Sequence, residues 1–407
     1  MARLKIAIVA LDFNREGGSE GRTGHLVDRL IADGHEVHLL GARIHDAWHP
    51  AVVRRQIPTP ANPHWLEVLL FSRRAGALVR REAFDIVHSQ IRPFVPGIVT
   101  VGGGCHRYYL REVFPAEKSG IGRLKAWFPL HLVILWLERR NFRPARCPYI
   151  IANSGLGRDG ILRHYPFPPE RIIVAHNGVD PARFSPAQRQ RWRAQRRREL
   201  GAAPNQMLAL FVGTGFHRKG LAPLLEALRR LPRGTVRLAV VGGGASEDWK
   251  RRAADLGLAD LVTFTGRVRD AETYYAAADL FVLPTRFDPF ANATLEAMAS
   301  GLPVITSRQN GAAEILTAGQ EGVLVEDPAD AGALAGAIAL LRDPARRAAM
   351  GARARETAMK YTWDGPLHKT LEVYAKVRAE SRAPSAGEPR GRRGAEAQGR
   401  GERGGVA

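Results

Sequence analysis

Four side chains between residues 208 and 314 carry groups that could do chemistry together: Arg218, Lys219, Asp288 and Glu296. The two cations close the string Phe211-Val212-Gly213-Thr214-Gly215-Phe216-His217-Arg218-Lys219-Gly220, in which an apolar run feeds a glycine-rich loop and then a helical pattern. Backbone N–H groups in such a loop, with a helix N-terminus behind it, favour an anionic phosphate, and the two cations add to that preference. Asp288 and Glu296 are eight positions apart, the first predicted in a loop and the second in a helix, so about two turns separate them beside the helix start. Two carboxylates next to a phosphate site can hold ribose and sugar hydroxyls without a metal. The loop lacks the Gly-Lys-Ser/Thr ending of a triphosphatase P-loop, and Arg218 stands where a GxGxxG fingerprint needs its last glycine. Taken singly, these features also read as a glycine turn with a solvated basic edge and a solvated helix face. The whole string resists that reading.

Two successive α/β patterns would position these groups. Lys5–Leu11 reads as a buried strand, followed by the glycine turn Gly17-Gly18-Ser19-Glu20-Gly21 and a helical pattern through Leu26, Leu30 and Ile31. Gly34 ends that helix and Glu36–Leu40 begins the next strand, which completes a βαβ unit of a parallel sheet. Asp85–His88, Ile98–Val101 and Tyr149–Ala152 are further strands. The pattern restarts with Leu208–Val212, then a helix over Leu221–Leu231, a strand over Arg237–Val241 and a helix over Trp249–Leu256. Leu261–Phe264, Leu280–Leu283 and Pro303–Ile305 follow as strands, with closing helices over Ala329–Leu341 and about Leu367–Val377. The expected fold is α/β: two facing, doubly wound, Rossmann-like domains with a cleft between them. The expected limits are 1–184 for the first domain, 185–204 for a basic linker and 205–362 for the second domain. A helix over about 363–378 would pack back on the first domain, and 379–407, almost without apolar residues, would be a disordered tail. Val240-Val241-Gly242-Gly243-Gly244 and Thr265-Gly266-Arg267-Val268 end strands at the edge where open α/β sheets bind ligands.

Composition narrows the classes. A chain of 407 residues with 45% hydrophobic and 25% charged residues is globular and long enough for two domains. No run of about 20 apolar residues exists, so no membrane-spanning helix is expected, and the apolar start Ile6–Leu11 is too short for a signal peptide. Two cysteines, Cys105 and Cys147, do not make a disulfide framework and fit a reducing cytoplasm. The net charge is +20, half of it within residues 1–186. Nucleic acid, an anionic membrane and a phosphorylated acceptor are all electrostatically allowed, but 52 arginines against eight lysines also fit a compositional bias.

The second half resembles the retaining glycosyltransferases of family 4, which have the GT-B architecture. The resemblance rests on the acidic pair Asp288…Glu296 with the following Gly301-Leu302-Pro303-Val304, on Ile173-Val174-Ala175-His176-Asn177-Gly178-Val179-Asp180…Arg183-Phe184, and on Tyr275-Ala276-Ala277-Ala278-Asp279. Phe216-His217-Arg218-Lys219-Gly220 and Thr265-Gly266-Arg267 are most similar to the lipopolysaccharide-core glucosyltransferases of that family. The resemblance covers about residues 5–378. It implies that Glu296 binds the ribose hydroxyls and that Asp288, an Asp where the family has Glu, lies by the donor sugar. It implies backbone contacts from Phe290, Ala291 and Asn292, a diphosphate role for Lys219, and base contacts near Arg267 and Val268. The family's usual second cation falls on Thr214, so Arg218 would supply that charge, and Gly17 and Gly18 would approach the donor. His106, after Thr100-Val101-Gly102-Gly103-Gly104-Cys105, matches a strand-end His that faces the donor sugar; His88 is a weaker candidate and, like any lone His, has a structural reading.

The activity implied is metal-independent, retaining transfer of a hexose, glucose first, from a UDP-sugar to a glycolipid or oligosaccharide acceptor of lipopolysaccharide-core type. The sugar nucleotide is a substrate, so no cofactor is expected, and no metal motif is visible. Residues 122–143 combine an apolar run, Trp127, Trp136 and basic flanks, which reads as a buried helix or as one whose ends meet an anionic inner leaflet. The protein would then be cytoplasmic, peripheral on the inner face of the membrane, with no nucleic acid partner. A GT-B nucleotide-sugar epimerase and a non-catalytic basic binding protein are the alternatives; the second offers no reason for the 288–296 string.

Overall fold

In the computed structural model, residues 3–14, 18–45, 48–114, 128–244 and 246–382 are described. Ile6, Ala7, Ile8 and Val9 are all fully buried, which is what a strand covered by helices on both faces requires. That strand, Lys5–Val9, lies near the middle of a seven-stranded parallel sheet. Across the sheet the order is Val53–Gln56, Glu36–Gly41, Lys5–Val9, Ile86–Gln90, Ile98–Val101, Ile150–Ala152 and Ile172–Val174. The second sheet, six-stranded and also parallel, runs Val262–Gly266, Val236–Val241, Met207–Val212, Leu280–Leu283, Val304–Ser307 and Gly322–Val325. In each sheet the winding reverses beside its first strand. The crevices therefore open at the carboxyl ends of Lys5–Val9 against Ile86–Gln90, and of Met207–Val212 against Leu280–Leu283.

The segment 185–204 is more than a tether. It contains the helix Gln188–Glu199, whose arginines anchor it to the second domain. Arg193 and Arg197 both reach Asp279, at 2.5 and 2.8 Å, and Arg196 reaches Asp270 at 2.5 Å. The last helix, Asp364–Arg382, lies on the first domain: Leu367, Val373 and Tyr374 join the core around Ile6, Ile8 and Leu30. It extends beyond residue 378, where a tail was expected to begin, because Glu380 accepts from the Tyr149 hydroxyl at 2.7 Å and pairs with Arg171 at 3.4 Å. Residues 383–407 lie outside the described residues.

The chain crosses between domains twice, and the crossings touch. Val179 N donates to Tyr361 O at 3.0 Å, and a Cβ on Gly178 would come 2.3 Å from Trp363 N, so only glycine permits this approach. A second tie is electrostatic. Glu314, from the second domain, accepts the N–H groups of Gly155 and Leu156 at 2.8 and 2.7 Å, capping the Gly155–His164 helix of the first, and meets His176 at 3.0 Å.

Candidate active site

The loop after Met207–Val212 is held against the end of Leu280–Leu283. Gly220 has φ 82°, and a Cβ there would fall 1.9 Å from Pro284 O, so the residue after Lys219 must be glycine. Arg286 N donates to Arg218 O at 2.8 Å, which fixes Arg218 and Lys219 beside residues 285–288. Lys219 Nζ donates to Asp288 Oδ2. Arg218 Nη1 lies 3.3 Å from the same oxygen and donates to Phe287 O at 2.6 Å. Burial acts to raise the Asp288 pKa, but Lys219 and Arg218 outweigh it and hold the carboxyl below its ordinary value. Two cations and one anion thus share one buried point at the switch of the second sheet.

The chain then turns into the Asn292–Ala299 helix. Phe290 N donates to Asp288 Oδ1 at 3.2 Å. Asn310 organises the turn: its Oδ1 accepts from Ala291 N at 3.2 Å and Ala312 N at 3.1 Å, and its amide donates to Thr294 and Thr306. Ala291 has φ −74° and ψ 104°, so the turn needs no glycine at this position. On this helix Glu296 Oε2 accepts from the Tyr275 hydroxyl at 2.8 Å. Burial raises the Glu296 pKa, against the Tyr275 hydrogen bond that lowers it. The Tyr275–Glu296 pair joins two motifs that the sequence shows separately.

Other expected site residues are distributed around this point. Arg267 and Val268 follow Val262–Gly266 at the same carboxyl edge; Arg267 is exposed, and a Cβ on Gly243 would come 2.7 Å from its Nε. Gly18 begins the Gly18–Ala32 helix, and Gly17 lies outside the described residues. From the first domain, Asn177 donates to Asn292 Oδ1 at 2.7 Å, and Arg22 Nη1 lies 3.2 Å from Asn177 Oδ1. This cross-domain link was not read from the sequence, although Asn177 stands in one of the quoted strings.

The two histidines part company. His88 is fully buried between the Tyr374 hydroxyl at 2.8 Å and Thr100 Oγ1 at 2.7 Å, a core position. Burial, with Arg22 nearby, pushes its pKa down to about 3. His106 starts a short helix whose neighbours reach the second domain: a Cβ on Gly104 would lie 3.2 Å from Phe287, and the Tyr108 and Phe287 rings are 4.9 Å apart. Its own ring pairs with His131, Nε2 to Nδ1 at 2.9 Å, rather than with Asp288 or Lys219.

With this geometry in place, comparison with known proteins is informative. Residues 16–183 match the family described as Glycosyltransferase Family 4, and residues 193–357 match Glycosyl transferases group 1. The chain belongs to this glycosyltransferase family. The D-inositol 3-phosphate glycosyltransferase of Corynebacterium kroppenstedtii is 32% identical over 240 residues, 55% of this chain and 52% of that protein. The chain thus spans about half the length of the curated relatives it matches. Among solved structures, that of WaaG, a glycosyltransferase involved in lipopolysaccharide biosynthesis, superposes with TM-score 0.78 at 22% identity, covering 91% of this chain and 99% of WaaG. Anabaena HepE in complex with UDP-glucose superposes with TM-score 0.68 at 17% identity, covering 92% and 100%. For this glycosyltransferase these likenesses give the fold: two facing Rossmann-like domains in the GT-B arrangement.

Proposed function

We propose that this glycosyltransferase is retaining and moves a hexose, glucose first, from a UDP-sugar to a glycan or glycolipid acceptor of lipopolysaccharide-core type, without a metal. One observation carries the donor reading: Lys219 and Arg218 converge on Asp288 at the switch point of the second sheet, beside a helix N-terminus. In this reading the diphosphate takes up the two cations and displaces Asp288 from the Phe290 N–H, while Ala291, held by Asn310, and Asn292 shape the turn beside it. Glu296, oriented by Tyr275, holds the ribose hydroxyls, and Arg267 and Val268 face the base. Asp288 faces the sugar, with His106 on the opposite wall and Gly17 and Gly18 near the phosphates. As the bond from the anomeric carbon to the diphosphate breaks, Lys219, Arg218 and the helix dipole stabilise the charge on the leaving group. The anomeric carbon gains oxocarbenium character while the acceptor hydroxyl attacks from the same face. No side-chain nucleophile is needed. WaaG, involved in lipopolysaccharide biosynthesis, and HepE, which forms a complex with UDP-glucose, support the reading.

The acceptor would be met at an anionic inner-membrane surface. No described helix is long and apolar enough to cross a membrane. The helix Pro129–Asn141 buries Ile134, Leu137, Glu138 and Asn141, while Phe128 at its N-cap and Leu132 and Trp136 along it are 54%, 46% and 44% exposed; residues 122–127, Trp127 among them, lie outside the described residues. Phe128, Leu132 and Trp136 recur every fourth residue and so form one apolar stripe. Arg139, Arg140 and Arg143 follow it at the surface, with Arg140 5.0 Å from the Trp136 ring. An apolar stripe with a basic end fits the headgroup region. Co-sedimentation with anionic vesicles, abolished in Leu132→Ser/Trp136→Ser, is the expected result; equal binding by both proteins would remove this location.

The donor is tested by thermal shift with UDP, UDP-glucose, other sugar nucleotides and NAD. A ligand at a hundred times its Kd adds about 2.7 kcal/mol of stability. Stabilisation by UDP compounds that disappears in Lys219→Ala is expected. Silence with every sugar nucleotide would favour a non-catalytic relative of the fold.

A further inference from the structure

The helix Gly155–His164 belongs to the first domain, yet its N-terminus is completed from the second. At its N-cap the Ser154 side chain accepts the Gly157 N–H at 3.0 Å. The Gly155 and Leu156 N–H groups of the same turn go one to each oxygen of Glu314, at 2.8 and 2.7 Å. A carboxylate that takes two backbone N–H groups at the positive end of a helix is held in both place and direction. His176, just before the crossing at Gly178, adds a third contact at 3.0 Å. Burial acts to raise the Glu314 pKa, but His176 and the two N–H groups outweigh it and hold the carboxyl below its ordinary value.

The stretch of the second domain that carries Glu314 also holds the main chain of Asp288. Asp288 N donates to Gln309 O at 2.9 Å and Gly311 N donates to Asp288 O at 2.8 Å, so residues 309–311 pair in parallel with Asp288. Asn310 caps the helical turn Gly311–Ile315 through Ala312 N and, with the same oxygen, holds Ala291 N. A Cβ on Gly311 would fall 1.8 Å from Pro289 O and 2.7 Å from Ser154 Oγ. The backbone at 311 is therefore wedged between the residue after Asp288 and the N-cap of the first-domain helix. No side chain fits there. From Asp288 to the opposite domain the path runs through Gly311 and one helical turn to Glu314, and from Glu314 to Gly155 and Leu156.

We propose that Glu314 is a positioning residue for the donor site: its two-pronged bond to the first-domain helix fixes the turn from Asp288 to Ala291 through residues 309–311. The turn keeps its shape while the helix N-terminus of the opposite domain stays in register with it. Loss of either end of the bond frees residues 309–311, and Asp288 and Ala291 move with them. The consequence for nucleotide rests on the donor reading of Asp288, Lys219 and Arg218; the mechanical coupling between the domains does not.

The test cuts the bond from each side. Glu314→Gln weakens it from the second domain. Leu156→Pro removes one donor from the first domain at a position where a helix tolerates proline, and leaves the second domain untouched. Residue-resolved hydrogen exchange on the full chain without nucleotide compares wild type, both single variants and the double variant. Each single variant is expected to speed exchange of the Gly311 and Ala291 N–H groups at least about tenfold, and the double variant no further. UDP, titrated calorimetrically, should bind each single variant about tenfold more weakly, again with no added loss in the double. Unchanged exchange in Met207–Val212 reports that the second domain is folded. A cap that served only its own helix would speed exchange within residues 155–164 and leave Gly311, Ala291 and UDP affinity at wild-type values; that result overturns the proposal, as do additive losses in the double variant. Failure of the wild-type protein to bind UDP would count against the donor reading alone, and exchange at Gly311 and Ala291 would still decide the coupling.

Discussion

The side-chain amide of Asn177 donates to Asn292 Oδ1 at 2.7 Å, so a residue between the two domains holds the first residue of the helix that carries Glu296. Arg22 extends the link to the opening helix of the first domain. Any change in the angle between the domains must break or lengthen this chain. The placement of the Asn292–Ala299 N-terminus, and with it Asp288 and Glu296, is thereby tied to closure of the cleft.

A double-mutant cycle on Asn177→Ala and Asn292→Ala measures that tie. Residues in direct contact couple by about 0.5–3 kcal/mol. Urea unfolding of the four proteins should give a coupling in that range, and each single variant should lose turnover. Additive effects would mean that the contact contributes nothing to holding the domains.

Asp288 occupies the two cations that the proposed function assigns to the diphosphate. Asp288→Asn removes this competition, so UDP should bind the variant more tightly than the wild type while sugar transfer falls. Titration calorimetry and a turnover assay on the same preparations check both halves. Weaker UDP binding in Asp288→Asn would show that the carboxylate positions Lys219 more than it competes for it.

The titration of His88 sets a pH dependence with a definite sign. Its folded pKa is about 3, below the ordinary 6.5, because burial disfavours the cation. The unfolded chain therefore takes up a proton that the folded one refuses. Stability is full above pH 6.5 and falls as the pH drops toward 3. Carboxyls held low, such as Asp288 and Glu314, act only further toward acid. Urea midpoints should fall between pH 7 and pH 5, by up to about 1.4 kcal/mol per pH unit from this group. The fall should be shallower in His88→Gln, which starts less stable because its bonds to Tyr374 and Thr100 are weakened. Parallel profiles would exclude His88 as a source.

The strands that carry the site were legible because buried parallel strands are apolar runs. Lys5–Val9, Met207–Val212 and Leu280–Leu283 fall where the pattern predicts them. Val53–Gln56 was invisible for the opposite reason: it is an edge strand with Arg54, Arg55 and Gln56 exposed, and it reads as loop. Gln188–Glu199 reads as a charged linker because its partners, Asp270 and Asp279, lie far along the chain. The same limit applies at the site. Local spacing displays Arg218 beside Lys219 and Asp288 eight residues from Glu296, but not that the two pairs meet. It does not show Tyr275 under Glu296, Asn177 against Asn292, or His131 against His106, because each contact is made only when separate elements dock.

The central claim is that Lys219 and Arg218 stabilise a departing nucleoside diphosphate. The most direct test is the single-turnover rate of UDP release from UDP-glucose, in the presence of acceptor, for wild type and Lys219→Ala at saturating donor. Loss of a positioned charge opposite the leaving group should slow release by about 10²-fold or more, or at least about 2.7 kcal/mol. An unchanged rate in Lys219→Ala would contradict the account and move the leaving-group site elsewhere in the cleft.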